Sequence, residues 1–186
     1  MSTKHTDARG GHGVAAALPF IHPSVLCLGP VLVVMDMQPG FKAAQDAVTQ
    51  YFVRQEVTRA REEGRPVIIV EYDPHEMGHT YESITSLIEG YEHSDIITKR
   101  GDDGSAEILK ACSDKGFSAM SFRMCGVNSD ACLLESIQGL VEKLPKCRIT
   151  VPQDACNCLT GKNNDVWYED YPAIAQVTVE LHGGMH

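Results

Sequence analysis

The sequence predicts an α/β protein: a three-layer α-β-α sandwich around a six-stranded, mostly parallel sheet. Three observations predict it. Continuous apolar runs recur along the chain, beginning with Val31-Leu32-Val33-Val34-Met35. Such runs fit strands buried on both faces, as parallel sheets require. Between them lie stretches with helical apolar spacing, and this alternation implies right-handed crossovers with helices on both faces of the sheet. The 186 residues suffice for one domain with a real core and are too few for two comfortable ones.

Residues 1–28 read as an N-terminal extension, loosened by Gly10, Gly11 and Gly13, and residues 29–186 as the domain. The first strand ends on Asp36, and Gln38-Pro39-Gly40 breaks it. Residues 43–63 read as a helix with Val48, Phe52, Val53, Val57 and Ala60 on one face, closed by Gly64 before Pro66. Pro66 to Tyr72 is the second strand, Asp73 to His79 a polar loop, and Tyr81 to Ile88 a short helix. Ile96 to Lys99 is a third, short strand. Ser105 is placed to cap a helix carrying Ile108, Leu109 and Cys112, which Gly116 closes. Phe117 to Cys125 is a fourth strand despite Arg123. Residues 129–143 form the clearest helix, with Leu133, Leu134, Ile137, Leu140 and Val141 in one stripe. Arg148 to Val151 and Ala175 to Leu181 supply the fifth and sixth strands.

In open parallel sheets the ligand site lies beyond the carboxyl ends of the strands. Three reactive residues stand there: Asp36 after the first strand, Lys99 at the end of the third, and Cys132 shortly after the fourth. Each has an ordinary reading, as a loop acid, a surface lysine and a core thiol. Together they describe one apparatus. Asp36 can accept a thiol proton, and Lys99 can favour the anion. A cysteine in the first turn of a helix faces unpaired N–H groups and the positive end of the dipole, which favour thiolate.

The segments VLVVMDMQPGF, IITKR and CGVNSDACLLES, in this order and spacing, resemble the three signature segments of the isochorismatase-like cysteine hydrolases. That family includes nicotinamidases, N-carbamoylsarcosine amidases and isochorismatases. Ile149 to Ala155 resembles its late strand ending in Asp-Ala, and the resemblance spans about residues 30–158. It implies an Asp36–Lys99–Cys132 triad on a six-stranded parallel sheet. It also implies a cis peptide near Val127–Asn128 that turns backbone N–H groups, at Asn128 and Cys132, toward an oxyanion. Gln38 and Phe41 match residues beside the family's catalytic Asp, and they and Tyr72 are the expected pocket walls. The chain departs from the family after Lys99, where a small residue and an aromatic are usual and a longer loop stands instead. The family's nicotinamidases carry a metal on an Asp and several His. No cofactor is expected here. If a divalent ion such as zinc bound, Asp73, His75, His79 and His93 would be its candidate ligands.

The expected activity is hydrolysis of a C–N bond in a small amide or carbamoyl substrate through a thioester. The alternatives are vinyl ether hydrolysis of the isochorismatase type, which needs no thiol, and a non-catalytic binding module. Other chemistries lack their motifs. A phosphatase of the haloacid dehalogenase type needs a second Asp where Gln38 stands, and no glycine-rich phosphate loop or GxSxG elbow is present.

The formal net charge of −9 repels phosphate backbones and anionic lipid, so neither nucleic acid nor membrane is an expected partner. No apolar run reaches the roughly 18 residues of a spanning helix, and Val14 to Leu18 is thin for a secretion signal. An odd count of seven cysteines fits reduced thiols, including Cys156 and Cys158 in a loop, and a cytoplasmic setting. The family suggests a homo-oligomer.

Overall fold

A computed structural model describes residues 29–158 and 166–181. Seven strands form one sheet: Val31–Met35 (β1), Val67–Tyr72 (β2), Ser94–Lys99 (β3), Ser121–Val127 (β4), Arg148–Pro152 (β5), the two-residue Cys156–Asn157 (β6) and Val177–Glu180 (β7). The order is β3-β2-β1-β4-β5-β7, with β6 pairing β4 beyond the reach of β5, and every pairing is parallel. The continuous apolar runs take the centre: all five residues of β1 are buried, and so are the first five of β2. The edge strands β3 and β7 alternate between more and less buried positions, as strands with one open side do.

Helices cover both faces. Ala47–Glu62 (α1) packs against β1, β2 and β4, while Ser105–Lys115 (α4) and Cys132–Lys143 (α5) pack side by side on the other layer. Two short helices, Pro74–Met77 (α2) and Glu82–Thr85 (α3), lie between β2 and β3. Strand order reverses between β1 and β4, so the crevice where such sheets bind ligands opens beyond Met35 and Val127.

Several local expectations are corrected. The helix expected over 43–63 is two pieces: a 3-10 turn, Lys42–Gln45, and then α1. Asp46 separates them, because its carboxylate caps α1 by accepting from the Thr49 N–H at 2.7 Å. The break rotates the apolar face. Val48 is 61% exposed, and the buried stripe is Thr49, Val53, Glu56, Val57 and Ala60. Ser105 does not cap α4. The Asp103 carboxylate does so by accepting from the Ser105 N–H at 2.7 Å, and the Ser105 hydroxyl accepts from Lys143 at 2.8 Å. The fourth strand starts at Ser121, four residues later than expected, although Phe117 is buried. The polar loop after β2 contains α2, and β6 has no sequence signal of its own. The expected extension, residues 1–28, lies outside the described residues.

Arg123, the polar residue of β4, is neutralised inside the sandwich. Its guanidinium makes a two-pronged bond to Glu56 of α1, 2.5 and 2.8 Å, and a third to Glu180 of β7 at 2.6 Å. A planar fork meeting a carboxylate in this way is the strong form of ion pair.

Candidate active site

Asp36 follows β1 directly, and its N–H extends the strand ladder by donating to the Val70 carbonyl at 2.9 Å. Its φ is +52°, a left-handed conformation that Asp tolerates better than most residues. The turn leaves the carboxylate with no exposed surface. Lys99 ends β3, two strands away, and Tyr72 is its register partner on the intervening β2. The lysine therefore reaches across the Tyr72 ring, 4.9 Å from the ammonium to the ring centroid, and meets Asp36 Oδ2 at 3.0 Å. Both side chains are fully buried. The ammonium also donates to the carbonyls of Gly101, at 2.9 Å, and Asp102, at 3.3 Å.

Cys132 is the first residue of α5, whereas the sequence placed the helix start near Ser129. It is 3% exposed, and its thiol is coupled to both Asp36 and Lys99. Burial raises the Asp36 carboxyl to about 6, against the opposing pull of Lys99. Burial likewise pushes the Cys132 thiol up to about 12; the Asp36 charge adds to this and Lys99 opposes it. Burial thus works against the thiolate that the helix start was expected to favour. Desolvation is the largest influence on the thiol and favours its neutral form beside the Asp36–Lys99 pair.

The turn between β4 and α5 is tied down on both sides. The Val127–Asn128 peptide is cis. Gly126, with φ +112°, lies so close to the Met35 main chain that a Cβ would collide with its carbonyl oxygen. The Asn128 carbonyl accepts from the N–H groups of Ala131 and Leu133, both at 3.1 Å. The Ser129 N–H donates to Asn157 of β6 at 2.9 Å, and the Ser129 carbonyl accepts from the Tyr171 hydroxyl at 2.7 Å. The backbone N–H groups of Asn128 and Cys132 carry no such bond among the described residues.

The expected pocket residues divide. Gln38 has no exposed surface, and its amide holds main chain in place. It donates to the Tyr72 carbonyl at 2.9 Å and the Gly78 carbonyl at 2.5 Å, and accepts from the Tyr72 N–H at 2.7 Å. It therefore fastens the end of β2 and the turn after α2, and has no surface with which to line a pocket. Phe41 and Tyr72 are partly exposed and meet edge to face, centroids 6.0 Å apart, with Tyr72 against Lys99.

The candidate metal ligands are not gathered. Asp73 accepts from the His75 N–H at 3.3 Å, His79 Nδ1 lies 3.1 Å from Glu71, and His93 rests edge to face on Tyr91. Among the described residues no group of three His, Cys, Asp or Glu side chains is placed to hold a metal ion, so this set does not fit one as it stands.

Sequence reasoning missed Asp102. Its Oδ1 lies 3.5 Å from Cys132 Sγ. It sits in a loop, Arg100 to Gly104, that carries no periodicity, and only the fold brings that loop to the start of α5. The loop is docked there through Ser136, whose hydroxyl accepts from the Gly104 N–H at 2.9 Å and donates to the Asp102 carbonyl at 3.4 Å.

No family model and no curated protein matches the sequence. Solved structures do. The MAR1 ribonuclease of Caenorhabditis elegans superposes with a TM-score of 0.70 at 18% identity, over 81% of this chain and 76% of that one. The pyrazinamidase/nicotinamidase of Streptococcus mutans UA159 gives 0.68 at 14% identity, over 82% of this chain and 100% of that one. The N-carbamoylsarcosine amidase of Thermoplasma acidophilum gives 0.63 at 16% identity, over 84% and 98%. The chain has the fold of the isochorismatase-like hydrolases.

Proposed function

We propose that this chain is a cysteine hydrolase of the isochorismatase-like type, cleaving a C–N bond in a small amide or carbamoyl substrate. One observation carries the reading: a fully buried Asp36–Lys99 ion pair, 3.0 Å across, stands beside a thiol on the first residue of a helix. A buried ion pair is a weak source of stability, so its position at the strand ends argues for chemistry.

The mechanism starts from the neutral thiol. As Cys132 Sγ attacks the carbonyl carbon, the Asp36 carboxylate takes its proton. Lys99 stays charged and steadies whichever of the two groups is anionic. The Asn128 and Cys132 N–H groups, uncommitted elsewhere, receive the tetrahedral oxyanion. Collapse breaks the C–N bond, and Asp36 returns the proton to the departing nitrogen, releasing ammonia and leaving a thioester on Cys132. Water then attacks the thioester, losing a proton to Asp36; collapse frees the acid and restores the thiol. Phe41 and Tyr72 flank the substrate.

The N-carbamoylsarcosine amidase and nicotinamidase likenesses agree with this reaction class. A reduced, cytoplasmic, homo-oligomeric enzyme needing no metal belongs to the same proposal. The reduced state is supported by the free thiols of Cys112, Cys125, Cys132, Cys147 and Cys156. The net charge of −9 disfavours nucleic acid as a substrate. A screen of small primary amides and ureido acids for ammonia release, with and without chelator, tests the proposal. Release that Cys132→Ala abolishes supports it. Release unchanged in that variant contradicts it and takes the attack on the amide away from the thiol.

A further inference from the structure

Among the described residues, Asp102 is the hydrogen-bond partner of the thiol that the proposed mechanism does not use. Asp36 and Lys99 are fully buried, whereas Asp102 is exposed, so of these three charged groups at the thiol Asp102 is the one that reaches solvent. Its position is built. Its carbonyl is held from two sides, by the Lys99 ammonium at 3.3 Å and the Ser136 hydroxyl at 3.4 Å. Gly104, two residues on, lets the loop settle there, because a Cβ at that position would run into the Lys99 side chain. The carboxylate itself has no cationic partner among the described residues. The ion pairs nearby go elsewhere: Lys99 to Asp36, and Lys143 to Asp103.

We propose that Asp102 determines specificity: its carboxylate, 3.5 Å from Cys132 Sγ on the solvent side, selects substrates with a positive charge next to the scissile carbonyl and turns away anionic ones. The geometry sets the class. A carbonyl carbon about to be attacked lies about 3 Å from the sulfur. A substituent one or two atoms beyond it on the open side therefore meets the Asp102 oxygens. An ammonium or amidinium there gains an ion pair that no salt bridge among the described residues supplies to Asp102, and a carboxylate meets a like charge. The bland alternative is a solvated loop acid, whose charge would have no effect at the thiol. This inference deepens the amidase reading and rests on Cys132 being the group that substrates approach.

The test reads the field at the thiol without needing a substrate. The full-length protein and Asp102→Asn are each treated with a cationic reagent, 2-aminoethyl methanethiosulfonate, and an anionic one, 2-sulfonatoethyl methanethiosulfonate. In both reactions the Cys132 sulfur, having lost its proton to solvent, displaces methanesulfinate and forms a mixed disulfide. Rates at Cys132 are followed by mass spectrometry of its peptide and normalised to free cysteine. The cation-to-anion rate ratio is expected to fall about tenfold in Asp102→Asn, the effect of removing one partly solvated charge a few ångströms away. A ratio unchanged by the substitution overturns the proposal. So does failure of both reagents to modify Cys132, since a residue screened from incoming molecules selects none. If the ratio falls while no amide is hydrolysed, the amidase reading fails and the electrostatic selection stands. If amides are hydrolysed and the ratio does not move, the reverse holds.

Discussion

At the scale of single residues, the site is governed by desolvation. Burial lifts Asp36 to about 6 and the Cys132 thiol to about 12, which in the proposed mechanism makes the acid a base of useful strength and keeps the thiol protonated until attack. The sign of the pH dependence follows. Asp36 must be ionised to accept the thiol proton, so kcat/KM is expected to fall about tenfold per pH step below about 6 and to stay level from there into the mildly alkaline range. A profile that instead rose with pH through the range 8–9 would mean that a preformed thiolate is the attacking species. The same burial predicts that iodoacetamide at neutral pH labels Cys132 more slowly than free cysteine, because the reagent sees only the thiolate. Faster labelling would contradict the neutral-thiol state. That Asp36, Lys99 and Cys132 stand at or just beyond strand ends was legible in the sequence. Their protonation was not, because it depends on how much water the fold excludes. Asp102 was illegible for a different reason: nothing in a loop's own sequence says which distant helix it will touch.

At the scale of elements, β1 and β4 hold the site between them. Their ends come so close at Gly126 and Met35 that a side chain at position 126 has no room, and the φ of +112° excludes one on its own account. Gly126→Ala is expected to cost well over ~1 kcal/mol of stability and to displace Cys132. Urea unfolding and activity together check this, and a variant with native stability would contradict the close approach. The Arg123–Glu56 pair joins β4 to α1 in a nearly dry setting, with Arg123 9% and Glu56 1% exposed. Arg123→Met removes the guanidinium that pairs with the buried Glu56 carboxylate, which is expected to cost about 3 kcal/mol in urea unfolding; a loss under ~1 kcal/mol would show that the pair is solvated. These elements were read well where one physical cause dominated. The apolar runs of β1 and β2 could only be buried strands. The start of α1 was misread because Asp46 caps it in the middle of a helical pattern, and Val48 went with the error. The two residues of β6 are too few to carry a pattern, yet Asn157 anchors the turn before Cys132.

At the scale of the whole molecule, the reversal of strand order between β1 and β4 explains why three residues nearly a hundred positions apart meet. The chain runs outward through β2 and β3, returns across the sheet to β4, and so brings the ends of β1, β3 and β4 around one crevice. The fold could be anticipated because strand–helix alternation admits few topologies. The likenesses to solved structures, at 18% identity or less, agree with it in fold while leaving the reaction to be argued from the site. The central claim is that Cys132 carries the acyl group between two steps. The most direct test is intact-protein and peptide mass spectrometry of enzyme quenched during turnover of an ammonia-releasing amide. The account predicts an acyl adduct on the Cys132 peptide that hydroxylamine removes, together with loss of activity by about a thousandfold or more in Cys132→Ala. Turnover with no adduct on any quench time, at a rate that Cys132→Ala leaves intact, would contradict it.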